Sequence, residues 1–256
     1  MIKKTIPILL FVLFLFGCAS EPEPKTTLTI SAAASLTDAI QEIANTYEET
    51  HNVTIRMNFA GSGKLAQQIE QGAPVDLYLS ANQAWMNKLV NKNLVEPDSR
   101  TDLTSNRIVL IGAKGKEQQG PLEELPSWST DQQLAIGDPE SVPAGTYTKQ
   151  ALQTIQVWGK IQSQLVFSSD VRQVLAYVKS GNVGYGFVYA SDAQISEHIS
   201  ILSTLDPKWH KPIIYPAAIL STSDQKKEAK SFLSYLLSEP SQKILHNYGF
   251  QKVDDQ

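Results

Sequence analysis

Five short segments of this chain are dominated by small residues and uncharged hydrogen-bond donors. They are Ala33-Ala34-Ser35, Ala60-Gly61-Ser62-Gly63, Val142-Pro143-Ala144-Gly145-Thr146, Ser169-Asp170-Val171-Arg172 and Gly186-Phe187-Val188-Tyr189. Each closes an apolar run, and at least four fall where a strand is expected to hand over to a helix. The first N–H groups of a helix have no intrahelical partner and carry a partial positive charge, so such junctions suit an oxyanion. Together the five segments read as the wall of an anion site that needs no formal cation.

Each segment also has a plain structural use. Ser35 fits a helix N-cap with Asp38 three residues on. Gly61-Ser62-Gly63-Lys64 is no phosphate-binding P-loop, because Asn58 stands where that motif needs glycine and Leu65 where it needs serine or threonine. Pro143-Ala144-Gly145 suits a turn before a helix, and Tyr189 could be a core residue with its hydroxyl satisfied. Arg172, second in its helix, suits a salt bridge or loop support better than direct ligation. Asp138 and Glu140 precede a helix N-terminus, where carboxylates are favoured.

The chemistry of catalysis is not written here. His51, His198, His210 and His246 are far apart, with no HxH or HxxxH spacing, so no metal site or cofactor is expected. No serine lies in a G-x-S-x-G elbow, and the five segments contain no positioned base, which argues against an enzyme. The basic residues are scattered, and without Lys3 and Lys4 the formal net charge moves from −4 to −6, so nucleic acid is not an expected partner.

Residues 1–17 read as a signal peptide: Lys3 and Lys4 precede the 11-residue apolar stretch Ile6 to Phe16, too short to span a bilayer. Leu15-Phe16-Gly17-Cys18 resembles the lipobox of bacterial lipoproteins, with Cys18 as the lipidated residue. Cys18 is the one cysteine of the chain, so disulfides are excluded. Residues 18–27, with Glu21-Pro22-Glu23-Pro24, read as a stiff solvated tether to the membrane.

The elements that must position the five segments follow from periodicity. Leu28 to Ser31 reads as a strand, followed by a helix with Leu36, Ala39, Ile40, Ile43, Ala44 and Tyr47 on one face. Val53, Ile55 and Met57 alternate as a strand. Then come a helix at Lys64 to Glu70, a strand at Val75 to Leu79 and a helix at Asn82 to Val90. This βαβαβα order implies a parallel sheet. A second α/β unit begins near Arg107, with strands at Ile108 to Ile111, Leu134 to Ile136, Leu165 to Phe167 and Val183 to Tyr189. Its helices are expected at Thr146 to Trp158 and Val171 to Lys179. A late strand, Ile213 to Leu220, and helices at Asp224 to Leu237 and Ser241 to Asn247, ending at Gly249, would cross back to the first unit.

The segments AAASLTDAIQEIA, FAGSGKLAQQIEQGAPVDLYLSA, GDPESVPAGTY, DVRQVLAYV and VGYGFVYASDA resemble, in order and spacing, the molybdate-binding proteins of ABC transporters. The likeness runs from about Leu28 to Phe250. It implies an α/β, two-lobed periplasmic-binding-protein fold of type II, with lobe 1 at 28–106 completed by 213–256 and lobe 2 at 107–212. It implies a monomer that captures molybdate or tungstate between the lobes and delivers it to an ABC permease. In that family neutral donors hold the tetrahedral dianion. Residue by residue, Ser35 and Ser62 would give hydroxyl and backbone N–H groups, Ala144 and Val171 backbone N–H groups, and Tyr189 its phenol. Many relatives carry a run of serines where this chain has Gly61-Ser62-Gly63, which implies a lost hydroxyl contact and a more flexible loop. Two other readings are a receptor for another tetrahedral oxyanion such as sulfate, and an exported α/β enzyme acting on a phosphorylated or sulfated small molecule. Hydrogen phosphate wants an acceptor in its site, whereas a fully deprotonated dianion wants donors only.

Overall fold

The computed structural model describes residues 25–128 and 132–253. The expected signal peptide, Cys18 and most of the tether lie outside the described residues.

The first lobe is built on β1 (Thr26–Ala33), β2 (Val53–Ala60) and β3 (Leu77–Leu79), all parallel, with β1 in the middle. Helices α1 (Thr37–Thr50), α2 (Ser62–Glu70) and α3 (Gln83–Asn91) connect and flank them. The apolar stripe expected for the first helix is the one α1 buries: Ala39, Ile40, Ile43, Ala44 and Tyr47 are all in the core. Each aliphatic side chain of Ile size contributes roughly 1.5–3 kcal/mol on full burial. The chain then forms β4 (Thr101–Ser105) and crosses through Asn106 and Arg107 to the second lobe.

The second lobe holds β5 (Ile108–Ala113), β6 (Leu134–Gly137), β7 (Leu165–Ser168), β8 (Tyr185–Tyr189) and β9 (Ile199–Thr204). Its helices are α4 (Leu125–Trp128), α5 (Pro143–Thr154), α6 (Trp158–Ile161), α7 (Val171–Lys179) and α8 (Ala190–Gln194). The chain returns through β10 (Ile214–Ile219) and closes with α9 (Lys226–Leu236) and α10 (Glu239–Asn247), which pack on the first lobe's α1. Gly249, at φ 85°, ends α10: its N–H donates to the His246 carbonyl, and that of Phe250 to the Leu245 carbonyl. This pairing satisfies two terminal carbonyls and needs the left-handed backbone that glycine adopts freely.

The strand orders are β2-β1-β3-β10-β4 and β7-β6-β8-β5-β9. The two-lobed type II α/β architecture is therefore present, but neither sheet is wholly parallel. β10 runs antiparallel to β3 and β4, and β5 antiparallel to β8 and β9. The reason is the crossing chain: a strand that enters a sheet from the other lobe has no helix to carry it back to the starting edge, so it need not run with its neighbours. β4 and β9 went unrecognised in the sequence. Both are edge strands, and β9 is only partly buried, so its apolar pattern is weak.

Candidate anion-binding site

All five donor segments lie at C-terminal ends of strands, the side of an open α/β sheet where crevices form. β1 ends at Ala33 and runs into a short 3₁₀ turn, Ala34–Leu36. β2 ends at Ala60, and α2 starts at Ser62. β6 leads to α5 starting at Pro143, β7 to α7 at Val171, and β8 to α8 at Ala190. α2 and α5 begin two and three residues earlier than their periodicity suggests, which places Ser62 and Ala144 within first helical turns. One small cavity is lined from the first lobe by Ala33, Ala34, Ser35, Ala60, Gly61, Ser62 and Ala81. The second lobe supplies Val142, Pro143, Ala144, Asp170, Val171 and Tyr189.

Ser35 is not a helix N-cap. It lies inside the 3₁₀ turn, and α1 is preceded by Leu36 with no side-chain cap. Its buried Oγ instead meets the Tyr215 hydroxyl at 3.0 Å. Ser62, fully buried, is fixed on both sides: its Oγ accepts from the Ala81 N–H at 3.0 Å and its carbonyl from the Tyr78 hydroxyl at 2.8 Å. With that lone pair engaged, the Ser62 hydroxyl is able to turn its proton to the cavity. Pro143, having no N–H, suits the first position of α5. Gly145 lets that turn press on the end of β6, because a Cβ there would run into the Gly137 carbonyl.

Tyr189 is buried, and its hydroxyl has no hydrogen-bond partner among the described residues. Burial holds its pKa well above the ordinary value, and the nearby Tyr215 hydroxyl raises it further without meeting hydrogen-bond geometry. It is thus a neutral donor facing the cavity. A buried hydroxyl left unpaired costs roughly 1–3 kcal/mol, which an anion oxygen would relieve.

Arg172, the cation next to the cavity-lining Val171, is committed elsewhere. Arg172 pairs through Nη2 with Asp38 at 2.6 Å and through Nε with Asp192 at 2.6 Å, and Nη2 also donates to the Ser35 carbonyl at 3.3 Å. It therefore clasps the first lobe to the second, the salt-bridge role expected for it. Asp192 is fully buried and accepts the Tyr189 N–H at 3.2 Å. Desolvation pushes its pKa up to about 6 against the opposing pull of Arg172. Asp170 is the N-cap of α7, accepting the Gln173 N–H at 3.0 Å. Asp138 accepts the Glu140 N–H at 3.0 Å within its own turn. Among the described residues no cluster of three or more metal-ligating side chains occurs.

The two lobes meet across the cavity. The Gly63 N–H donates to the Ser141 carbonyl at 2.9 Å. A Cβ on Gly61 would lie 2.8 Å from the Ser169 carbonyl oxygen, and one on Gly63 2.5 Å from that of Ser141. The glycines beside Ser62 are thus points of close approach between lobes, and the flexible loop expected there is instead the first turn of α2. Sequence reasoning missed this contact, the Tyr215 and Asp192 partners, and Ala81. Tyr215 sits in an ordinary apolar strand pattern with nothing local to mark it.

The family of bacterial extracellular solute-binding proteins matches residues 28–251. YvgL of Bacillus subtilis, provisionally named an ABC transporter substrate-binding lipoprotein, is 41% identical over 244 residues, covering 93% of each chain. The molybdate-binding protein ModA of Escherichia coli is 37% identical over 227 residues, covering 87% of this chain and 88% of ModA. In three dimensions, the periplasmic molybdate-binding protein of Azotobacter vinelandii superposes with a TM-score of 0.78 at 23% identity, covering 87% of this chain and 98% of that one. Two lobes closing on a cavity at their strand ends are what such a family needs to enclose a solute, and this chain belongs to the bacterial extracellular solute-binding proteins.

Proposed function

We propose that this protein captures molybdate or tungstate in the cavity between its lobes and delivers it to an ABC permease. The observation that carries the reading is the polarity of the cavity. Ser62 has its acceptor side engaged by a backbone N–H, Tyr189 has an unpaired hydroxyl, and the first turns of α5 and α7 present backbone N–H groups at Ala144 and Val171. Ser35 completes the set. The adjacent arginine is held by two carboxylates, so the site offers neutral donors to a fully deprotonated dianion. The naming of ModA as a molybdate-binding protein supports the same ligand. The lining residues include no nucleophile paired with a base, and the protein is read as a monomeric carrier, not an enzyme.

Calorimetric titration of the mature chain with molybdate, tungstate, sulfate and hydrogen phosphate tests this. One molybdate or tungstate per chain is expected, with sulfate and phosphate far weaker. Sulfate binding as tightly as molybdate, or no heat with molybdate, would overturn the assignment. None of the five donors changes charge between pH 7 and 9, so affinity is expected to stay within about threefold there. As pH falls through about 6, Asp192 takes up a proton and a negative charge behind Tyr189 is lost, so dianion affinity should strengthen modestly.

The reading extends to the cell surface. The signal segment, Cys18 in its lipobox-like setting and the description of YvgL as a lipoprotein support a lipid anchor at Cys18 on the outer face of the membrane. Cys18→Ser should release the protein from the membrane fraction of cells without altering ligand affinity. Wild type found wholly in the soluble fraction would refute the anchor.

A further inference from the structure

We propose that Asn106 and Tyr215 form a one-way hydrogen-bond relay that commits Ser35 to donating, and that this polarity makes the site prefer an unprotonated oxyanion to a singly protonated one. The inference rests on the proposed anion site but concerns residues outside its wall.

Asn106 lies where the chain crosses from β4 to β5, and it is fully buried. Its Oδ1 accepts the Arg107 N–H at 2.9 Å, which fixes the orientation of the amide. Its Nδ2 therefore faces the other way, and it donates to Ser191 Oγ at 2.8 Å and to the Tyr215 hydroxyl oxygen at 3.4 Å. Tyr215, on β10 and fully buried, has a single proton. Its oxygen receives a hydrogen from Asn106, and in the proposed relay its own proton goes to Ser35 Oγ, 3.0 Å away, at a contact that either hydroxyl is able to donate. Ser35, receiving in turn, has its own proton left for the cavity. The sequence of donors is Asn106 to Tyr215 to Ser35 to anion. Ser62 reaches the same state more simply, through the Ala81 N–H.

Without the relay Ser35 could turn its proton toward Tyr215 and present lone pairs to the cavity, where they would accept the O–H of a protonated oxyanion. Molybdate has no such proton. Hydrogen phosphate does, yet in mildly alkaline buffer both ions are dianions, so the ratio of their affinities reports proton polarity and is insensitive to added charge.

The experiment measures both affinities, phosphate by competition, for wild type, Tyr215→Phe, Asn106→Asp and Ser35→Ala. Tyr215→Phe keeps the ring contacts with Tyr189 and Phe250. It should weaken molybdate binding about three- to tenfold and narrow the molybdate-to-phosphate ratio. Asn106→Asp replaces the donor by an acceptor, reverses the relay and should narrow the ratio more. In the Ser35→Ala background, Tyr215→Phe should change molybdate affinity by less than about twofold, the signature of action through Ser35. Equal effects of Tyr215→Phe with and without the Ser35 hydroxyl, or an unchanged ratio in both relay variants, would overturn the relay. Should Tyr215→Phe lose its cooperative thermal transition, the ratio in Asn106→Asp decides. Wild type failing to bind molybdate would sink the ligand assignment instead, and the same variants would then be read with sulfate, which is equally unprotonated.

Discussion

Ser62→Asp is expected to abolish anion capture while leaving the fold intact. Ser62 is fully buried in the first turn of α2 and lines the cavity. A carboxylate there would still accept the Ala81 N–H and would sit favourably at a helix N-terminus, so the unliganded chain should fold, with a melting temperature lowered by the desolvation of the buried charge. A dianion entering the cavity would meet it at close range. Two unit charges about 4 Å apart repel by about 4 kcal/mol at an effective dielectric near 20, and the anion carries two, so a loss beyond about a thousandfold is expected. Ser62→Ala, which only removes a donor, should cost about ten- to a hundredfold. Calorimetry beside a far-ultraviolet circular dichroism melt separates the two effects. Molybdate binding by Ser62→Asp within tenfold of wild type would remove this loop from the site.

Gly61→Ala is expected to weaken binding through closure alone. Gly61 has φ −59° and ψ 135°, a conformation alanine adopts without strain. The three nearest atoms that a Cβ there would meet belong to the other lobe: the Ser169 carbonyl at 2.8 Å, Val142 Cγ2 at 3.2 Å and the Ser141 carbonyl at 3.7 Å. The added methyl therefore penalises the closed arrangement and leaves the open one untouched. Overpacking of this kind costs about 1–3 kcal/mol, or roughly five- to 150-fold in affinity. The loss should show as faster ligand release, with the melting temperature of the unliganded chain unchanged. Wild-type release kinetics would mean that the lobes do not meet at Gly61 when the ligand is held.

The amphipathic stripe from Leu36 to Tyr47 was legible because helical periodicity is local, and α1 buries that face. The strand-to-helix junctions were legible because small residues, proline and glycine mark them, and the cavity is lined by those segments. Strand direction was not: the alternation in β10 is the same whichever way its neighbour runs, and its antiparallel pairing follows from where the crossing chain enters the sheet. Local reading also made Ser35 a helix cap, since nothing nearby shows that a tyrosine 180 residues away lies 3.0 Å from its oxygen. It took Gly61-Ser62-Gly63 for a looser loop, since the carbonyls of Ser141 and Ser169 that press on those glycines belong to the other lobe.

The sequence by itself determined which residue types could face a ligand, neutral donors at helix starts, because a chain's own periodicity and turn residues decide where its backbone N–H groups are left unpaired. Only the tertiary structure decided which way the protons of those donors point and how closely the lobes approach. Both depend on partners brought together from distant parts of the chain: Asn106 and Tyr215 behind Ser35, Ala81 behind Ser62, and Arg172 held between Asp38 and Asp192.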